Sequence, residues 1–281
     1  MIRLIAFDLD GTLLTTDKRV TEETRRTLRW AAENGICLLP ATGRPLTAIP
    51  REILELPGVE YAVTANGARI VRAKEGKTVW ERLVSVEKAR KVLDIFGEYD
   101  TLREIYYDGK GCVKKEEMER VSHFIPDPVM EAYFRTTRTT VPDLLAGSRE
   151  GHRGADKVQA FFASDEEKKE AWERLERLGG ISVTGALPYN IEVNADRIDK
   201  GSALLWTAGR LGIRREEILA FGDGANDVEM IRAAGIGAAM SSAVPEALAA
   251  ADILAGSNDE DGVARTIRRC LEESQRGERI C

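Results

Sequence analysis

The chain has 281 residues, 43% of them hydrophobic, which is enough for one large or two modest cores. Its 41 basic and 47 acidic residues leave a formal charge of −6, and no long Lys/Arg block offsets it, which argues against a nucleic-acid partner. No apolar run of about 18 residues is present to span a membrane, and the N-terminus reads as a strand rather than a cleavable leader. Cys37, Cys112, Cys270 and Cys281 lie too far apart to pair as metal ligands, so a reducing cytoplasm is the expected setting.

Ile2, Leu4, Ile5, Ala6 and Phe7 predict a short buried strand that runs into Asp8-Leu9-Asp10-Gly11-Thr12. In an extended chain residues i and i+2 share a face, so Asp8 and Asp10 should emerge side by side. Two adjacent anions at a sheet's carboxyl end are costly without a cation between them, which points to a hard metal. The bland alternative is a strand followed by an ordinary Asp-Gly turn.

Thr21-Glu22-Glu23 opens a helix that Gly35 closes, and Ile36–Leu39 is a second strand in which Cys37 should be buried. That strand ends in Pro40-Ala41-Thr42-Gly43-Arg44, with Pro45 suited to the next helix's first turn, and Tyr61–Ala65 is a third strand. This alternation implies right-handed crossovers and a parallel sheet. Near residue 66 the rhythm changes. A hairpin joins residues 68–72 and 78–82, a helix covers Val86–Glu98, and strands cover Leu102–Tyr107 and Gly111–Lys115. Residues 116–155 are charged and irregular. A strand at Lys157–Ala163, a helix at Asp165–Leu178 capped by Asp165, and strands at Ile181–Thr184 and Asn190–Val193 complete an α+β pattern.

From Lys200 the first rhythm resumes, with helices at Gly201–Leu211, Val228–Ala234, Pro245–Ala251 and Val263–Glu273. The strands between them are Ile218–Phe221, Ile236–Met240 and Ile253–Leu254. The fold class is therefore α/β: a Rossmann-like parallel-sheet core, residues 1–82 and 191–281, interrupted by an inserted α+β cap domain, residues 83–190.

Four loops fall at the carboxyl rim, where ligands of open α/β sheets bind. The first carries Asp8 and Asp10. The second, Thr42-Gly43-Arg44, offers a hydroxyl and free amides before a helix, a natural phosphate seat. In the third, Asp199-Lys200-Gly201, a lysine at a helix start opposes the dipole unless it neutralises a buried anion. The fourth, Gly222-Asp223-Gly224-Ala225-Asn226-Asp227, concentrates hard oxygen ligands beyond what a helix cap at Asp227 requires.

These four segments, in this order, resemble the four motifs of the haloacid-dehalogenase-like hydrolase superfamily, and the insertion between the second and third resembles the large cap of its Cof-type phosphatase subgroup. Asn66-Gly67-Ala68, Gly256-Ser257-Asn258 and Asp261-Gly262-Val263 extend the resemblance. Met240-Ser241-Ser242-Ala243 departs from it, since relatives commonly read Met-Gly-Asn-Ala. That loop should lie near the fourth motif, so altered fine geometry is expected.

The resemblance implies phosphoryl transfer through an aspartyl-phosphate. Asp8 would be the nucleophile, and Asp10 would protonate the leaving alcohol and then deprotonate water. Such acid–base help is worth about 10²–10⁴-fold. Mg²⁺ would be held by the Asp8 side chain, the Asp10 backbone carbonyl and Asp223. Thr42, Gly43 and Lys200 would bind the phosphoryl oxygens, while Asn226 and Asp227 would support the metal shell and Lys200.

The implied function is a Mg²⁺-dependent phosphomonoester hydrolase acting on a small phosphorylated metabolite, a sugar or polyol phosphate first. The alternatives are a phosphomutase of the same superfamily or a phospho-ligand-binding module without turnover. Specificity should come from the cap closing over the rim. Its candidate contacts Arg103, Tyr106, Lys114, Arg120, His123, Arg135, Arg138 and Arg153 remain unassigned, and extra cations there would suit a second anion on the substrate. The sequence sets no oligomeric state.

Overall fold

Short apolar segments too brief for helices, β1 (Leu4–Phe7) and β2 (Cys37–Pro40), pair in parallel with Leu4 beside Cys37. The computed structural model describes residues 1–149 and 154–276, so Arg153 and Cys281 lie outside the described residues. Between the two strands runs α1 (Glu22–Glu33), capped by Thr21, whose hydroxyl accepts from the Thr24 amide, with Glu22 and Glu23 at the positive end of the helix dipole. The third strand is β3 (Tyr61–Thr64), and isolated parallel bridges, Leu38–Val59 and Ala41–Val63, join the segments around β2 and β3. The β3 ladder is antiparallel, however, to β4 (Arg69–Arg72), and β5 (Lys77–Glu81) completes that three-stranded sheet.

The chain divides into two compact units, the first comprising residues 1–43, 49–79 and 199–281, the second residues 44–48 and 80–198. The boundaries expected after 82 and 190 therefore shift. In particular, 191 falls inside a strand of the second unit's sheet, whose ladder holds it there. That unit contains α2 (Val86–Phe96), β6 (Thr101–Tyr107), β7 (Lys110–Lys114), α3 (Pro128–Thr137), β8 (Arg138–Val141), β9 (Lys157–Phe162), α4 (Asp165–Leu178), β10 (Ile181–Thr184) and β11 (Asn190–Ala195). Its six strands lie in the order β10-β11-β9-β6-β7-β8, antiparallel except for the β7–β8 pair.

The stretch read as irregular holds the short helices Lys115–Glu119 and Val121–Phe124, then α3 and β8. Asp127 caps α3 by accepting from the Val129 amide, and Pro128 occupies its first turn. Val121, Phe124, Ile125 and Phe134 pack on Leu102, Val113 and Phe161, so these helices cover one end of the sheet face. The cap of α4 is Ser164, not Asp165. Its hydroxyl accepts from the Glu167 amide, and Asp165 lies in the first turn.

The chain then returns to the first unit with α5 (Lys200–Arg210), β12 (Ile218–Gly222), α6 (Val228–Ala233), β13 (Ile236–Ala239), α7 (Pro245–Ala250), β14 (Ile253–Leu254) and α8 (Gly262–Arg276). The all-parallel order β14-β13-β12-β1-β2 places β1 at the interior of the sheet, beside both β12 and β2. The interior strands are apolar on both faces because helices cover both. Cys37, expected to be buried, is half-buried at the start of β2. Among the described residues no helix is long and apolar enough to cross a membrane.

Candidate active site

The carboxyl ends of β1, β2 and β12 open on one rim. The Asp8 amide donates to the Phe221 carbonyl at 3.0 Å, extending the β1–β12 ladder so that Asp8 leaves the sheet beside the fourth loop. The chain then turns back, with the Leu13 amide donating to the Asp8 carbonyl. Gly11 makes this turn at φ +78°. A Cβ there would also stand 2.3 Å from Asp223 Oδ2, so only glycine admits the neighbouring carboxylate.

Lys200 sits at the start of α5, its side chain inaccessible to solvent, and Nζ donates to Asp8 Oδ1 at 2.7 Å and Asp227 Oδ1 at 2.6 Å. The Asp199 side chain and Ser202 form a reciprocal cap at this helix end, which holds the lysine in place against an unfavourable dipole. Asp227 uses its other oxygen to accept from the Asp223 and Gly224 amides at 3.0 and 2.9 Å. It does not cap α6 with its side chain; it folds the loop and fixes Lys200. Asp223 accepts from Thr12 Oγ1 at 2.6 Å, which ties the fourth loop to the first.

Oxygen atoms of Asp8, Asp223 and Asp227 all lie within 4.8 Å of one another, a donor set of hard oxygens that fits a small divalent cation. Burial first, then Asp227, Asp223 and Asp10, raise the Asp8 carboxyl well above its usual range, against the pull of Lys200. Burial first and Asp227 next push Asp223 up to about 7, against Thr12 and Lys200. Burial works against the charge on Lys200, but Asp227 and Asp8 outweigh it, so the ammonium stays protonated. One lysine thus faces three carboxylates, and a divalent cation supplies the charge that this cluster lacks.

Asp10 is not one of the three converging carboxylates. Its Oδ1 accepts from Lys18 Nζ at 2.7 Å. Lys18 has a left-handed backbone, φ 61°, in a turn closed by its amide to the Thr15 carbonyl. Nothing in the local sequence pattern around Lys18 marks the turn that brings it back to Asp10.

Thr42 and Gly43 follow β2. Thr42 is buried; its amide donates to the Val63 carbonyl and its carbonyl accepts from the Asn66 amide. Asn66 is the second residue that sequence reasoning left without a role. Ala65 (φ 48°) and Asn66 (φ 58°) are both left-handed, an arrangement rare outside glycine, and this turn directs Asn66 Oδ1 to accept from Asn226 Nδ2 at 3.1 Å. The Asn-Gly pair was the available signal.

The Met240–Ala243 loop does reach the fourth motif. The Met240 amide donates to the Gly222 carbonyl and the Val244 amide to the Asp223 carbonyl, while Ser241 and Ser242 are exposed.

In the second unit, five of the candidate residues have carboxylate partners. Arg103 binds Glu117, Arg120 and His123 meet Asp100, Arg135 meets Glu131, and Arg138 meets Glu104. Tyr106 is buried, its hydroxyl accepting from Arg138 at 3.0 Å, and Lys114 is half-buried at the end of β7.

The sequence pattern of the haloacid dehalogenase-like hydrolases matches residues 5–267, and the chain belongs to that family. It is a phosphatase of the family. The chain is 30% identical over 268 residues to the 5-amino-6-(5-phospho-D-ribitylamino)uracil phosphatase YcsE of Bacillus subtilis, covering 95% of each protein. It is also 30% identical over 252 residues to the HMP-PP phosphatase of Serratia proteamaculans, covering 88% of this chain and 86% of that one. A haloacid dehalogenase-like hydrolase from B. subtilis superposes with a TM-score of 0.82 at 27% identity, over 95% of this chain and 99% of that one.

Proposed function

We propose that this phosphatase is a Mg²⁺-dependent phosphomonoester hydrolase that works through an aspartyl-phosphate on Asp8, with a small polyol or sugar phosphate as substrate. The observation that carries the reading is the contact of a buried lysine with both Asp8 and Asp227 while Asp223 converges on the same point. A nucleophile must approach phosphorus without repulsion, and Lys200 neutralises Asp8 while leaving its second oxygen for attack. Asp8 Oδ attacks phosphorus in line and the ester oxygen departs. Asp10, oriented by Lys18, gives that oxygen a proton, then takes one from the water that cleaves the acyl phosphate. Thr42 and the Gly43 amide bind phosphoryl oxygens. Asp227 and Asn226 hold Lys200 and the loop in register, and Asn66 steadies Asn226.

Asp8, Asp223 and the Asp10 carbonyl would hold Mg²⁺, with Asp227 beside them. When bound, the cation offsets the charge of the phosphoryl oxygens and of the carboxylates. The relative named for a phospho-ribityl compound supports a polyol phosphate as substrate, and the second unit is the proposed source of specificity. The test is release of inorganic phosphate from p-nitrophenyl phosphate with Mg²⁺ and no activating bisphosphate. Retained turnover in Asp8→Asn, or full activity in EDTA, would overturn the assignment.

A further inference from the structure

Two segments that extend the family resemblance, Gly256-Ser257-Asn258 and Asp261-Gly262-Val263, play no part in the proposed reaction. In the structure they frame one tight loop of the first unit, just ahead of and opening α8. The Gly262 amide donates to the Ser257 carbonyl at 2.9 Å, and Ser257 Oγ accepts from the Asp259 amide at 3.2 Å. A Cβ on Gly262 would stand 2.4 Å from the Gly256 carbonyl oxygen, so the loop closes on itself with no room for a side chain there.

Three side chains leave this loop and meet the segment that follows Asp10, in matching order. Asn258 Nδ2 donates to the Leu14 carbonyl at 2.9 Å. Asp259 accepts from the Thr16 amide at 2.8 Å through Oδ1 and from the Thr16 hydroxyl at 2.7 Å through Oδ2. Asp261 Oδ1 accepts from the hydroxyls of Thr21 and Thr24 at the start of α1. The segment is thus tied at Leu14, Thr16 and Thr21, and Lys18 sits between the last two. Its turn is closed by the Lys18 amide to the Thr15 carbonyl at 2.8 Å and the Thr15 amide to the Arg19 carbonyl at 2.9 Å.

These ties bear on Asp10. The stem of lysine is flexible, and the Lys18–Asp10 pair has side chains 19% and 31% exposed, so it holds the carboxyl firmly only if the backbone beneath the lysine is fixed. That backbone is left-handed, φ 61°, a conformation that a lysine keeps only where its surroundings impose it. Residues 15–19 belong to no helix or strand, and Asn258 and Asp259 supply the constraint.

We propose that Asn258 and Asp259 are positioning residues for proton transfer: they fix the turn that carries Lys18, and Lys18 in turn fixes the Asp10 carboxyl. This rests on the phosphatase reading above. In the step concerned the bond from Asp8 to phosphorus forms, the ester P–O bond breaks with its electron pair going to oxygen, and the Asp10 proton passes to that oxygen. A general acid must come within about 2.6–3.2 Å of the atom it protonates. A misplacement of about 1 Å can cost about 10²-fold, even when its origin is far from the chemistry.

The experiment compares kcat/KM for phenyl phosphate and p-nitrophenyl phosphate, which are close in shape and differ in leaving group. p-Nitrophenolate departs as a stable anion and has little need of the proton, whereas phenolate needs it more. kcat/KM covers the steps up to departure of the leaving group, so the later attack of water on the acyl phosphate does not enter. In the double variant Asn258→Ala/Asp259→Ala the ratio of phenyl to p-nitrophenyl phosphate is expected to fall about tenfold, and in Lys18→Met by at least as much. Adding the two loop substitutions to Lys18→Met should lower the ratio no further, since all three act through one carboxyl. An unchanged ratio, with both substrates affected equally, makes the loop scaffold only and overturns the proposal, as does a further fall in the Lys18→Met background. If the double variant does not fold, Asp259→Ala alone, a change at an exposed position that removes both ties to Thr16, decides by the same ratio. Failure of the wild type to release phosphate from p-nitrophenyl phosphate with Mg²⁺ refutes the phosphatase reading itself, and this inference falls with it.

Discussion

Replacing Lys200 by methionine tests the electrostatic logic of the site most directly. Methionine keeps most of the stem volume, so the cavity cost is small and the charge is what disappears. Nζ contacts Asp8 at 2.7 Å and Asp227 at 2.6 Å in a position without solvent access, so both carboxylates lose their cation with no water to replace it. Removing one partner of a buried pair typically costs about 3–5 kcal/mol, because the remaining charge is stranded. At roughly 2–4 °C per kcal/mol for a chain of this size, the melting temperature in EDTA should drop by about 10 °C. Two effects limit the drop: Asp8 can take up a proton, as its raised pKa already favours, and Asp227 keeps its bonds to the Asp223 and Gly224 amides. Added Mg²⁺ should return part of the loss, since a second cation then faces the same oxygens. Turnover should fall by about 10²–10³-fold even at saturating Mg²⁺, the loss seen when one preorganised charge-stabilising donor is removed. The assays are thermal unfolding with and without Mg²⁺ and p-nitrophenyl phosphate hydrolysis. Unfolding in EDTA within 1–2 °C of the wild type would refute the reasoning, because the lysine would then not be offsetting buried charge.

A pH dependence follows from the acids. Asp223 is raised from 3.8 to about 7 in the folded protein, so the fold holds this proton more tightly than the unfolded chain. Without metal, stability from this group is therefore present at low pH and lost as pH rises through 4 to 7, by an amount on the order of 4 kcal/mol. Mg²⁺ should accordingly raise the melting temperature more at pH 8 than at pH 5.5, and equal shifts at both would count against the cluster as the metal site. Thr12→Val removes the 2.6 Å bond to Asp223 and should raise the Mg²⁺ concentration for half-maximal activity several-fold, read from a metal titration, with about 1–2 kcal/mol lost in stability. Gly11→Ala places a methyl 2.3 Å from Asp223 Oδ2 in a left-handed turn. It should cut activity at least tenfold while circular dichroism stays native. Asn66→Ala deletes the bond to Asn226 and a residue tolerant of φ 58°, and should lower kcat more than it raises KM.

The parts of this structure that were legible in the sequence are those with local signatures. The core strands announce themselves as apolar runs, and each rim loop combines glycine with carboxylate, hydroxyl or lysine in a way that few structural roles require. The helices between Lys115 and Phe124 escaped because five and four residues are too few for a 3.6-residue period to show. The next helix had a readable start in Asp127-Pro128, which the surrounding charge obscured. Asn66 and Lys18 depend on left-handed backbone at non-glycine positions, a choice dictated by the surrounding structure rather than by composition. The row of Glu104, Gln159 and Glu192 across β6, β9 and β11 could not be read at all, since it exists only once the register of three separate strands is set.

The order in which strands pair bears on biosynthesis. Leu4 of β1 meets Ile218 of β12, whereas every strand of the six-stranded sheet lies between Thr101 and Ala195. At about 5–20 residues per second, roughly 10–40 s separate the two halves of the β1–β12 ladder on the ribosome. During that interval the insertion has all its sheet partners in hand, while an apolar β1 has one open edge. Truncation just short of β12 leaves that edge unpaired for good and should yield an aggregating product rather than a shorter soluble one.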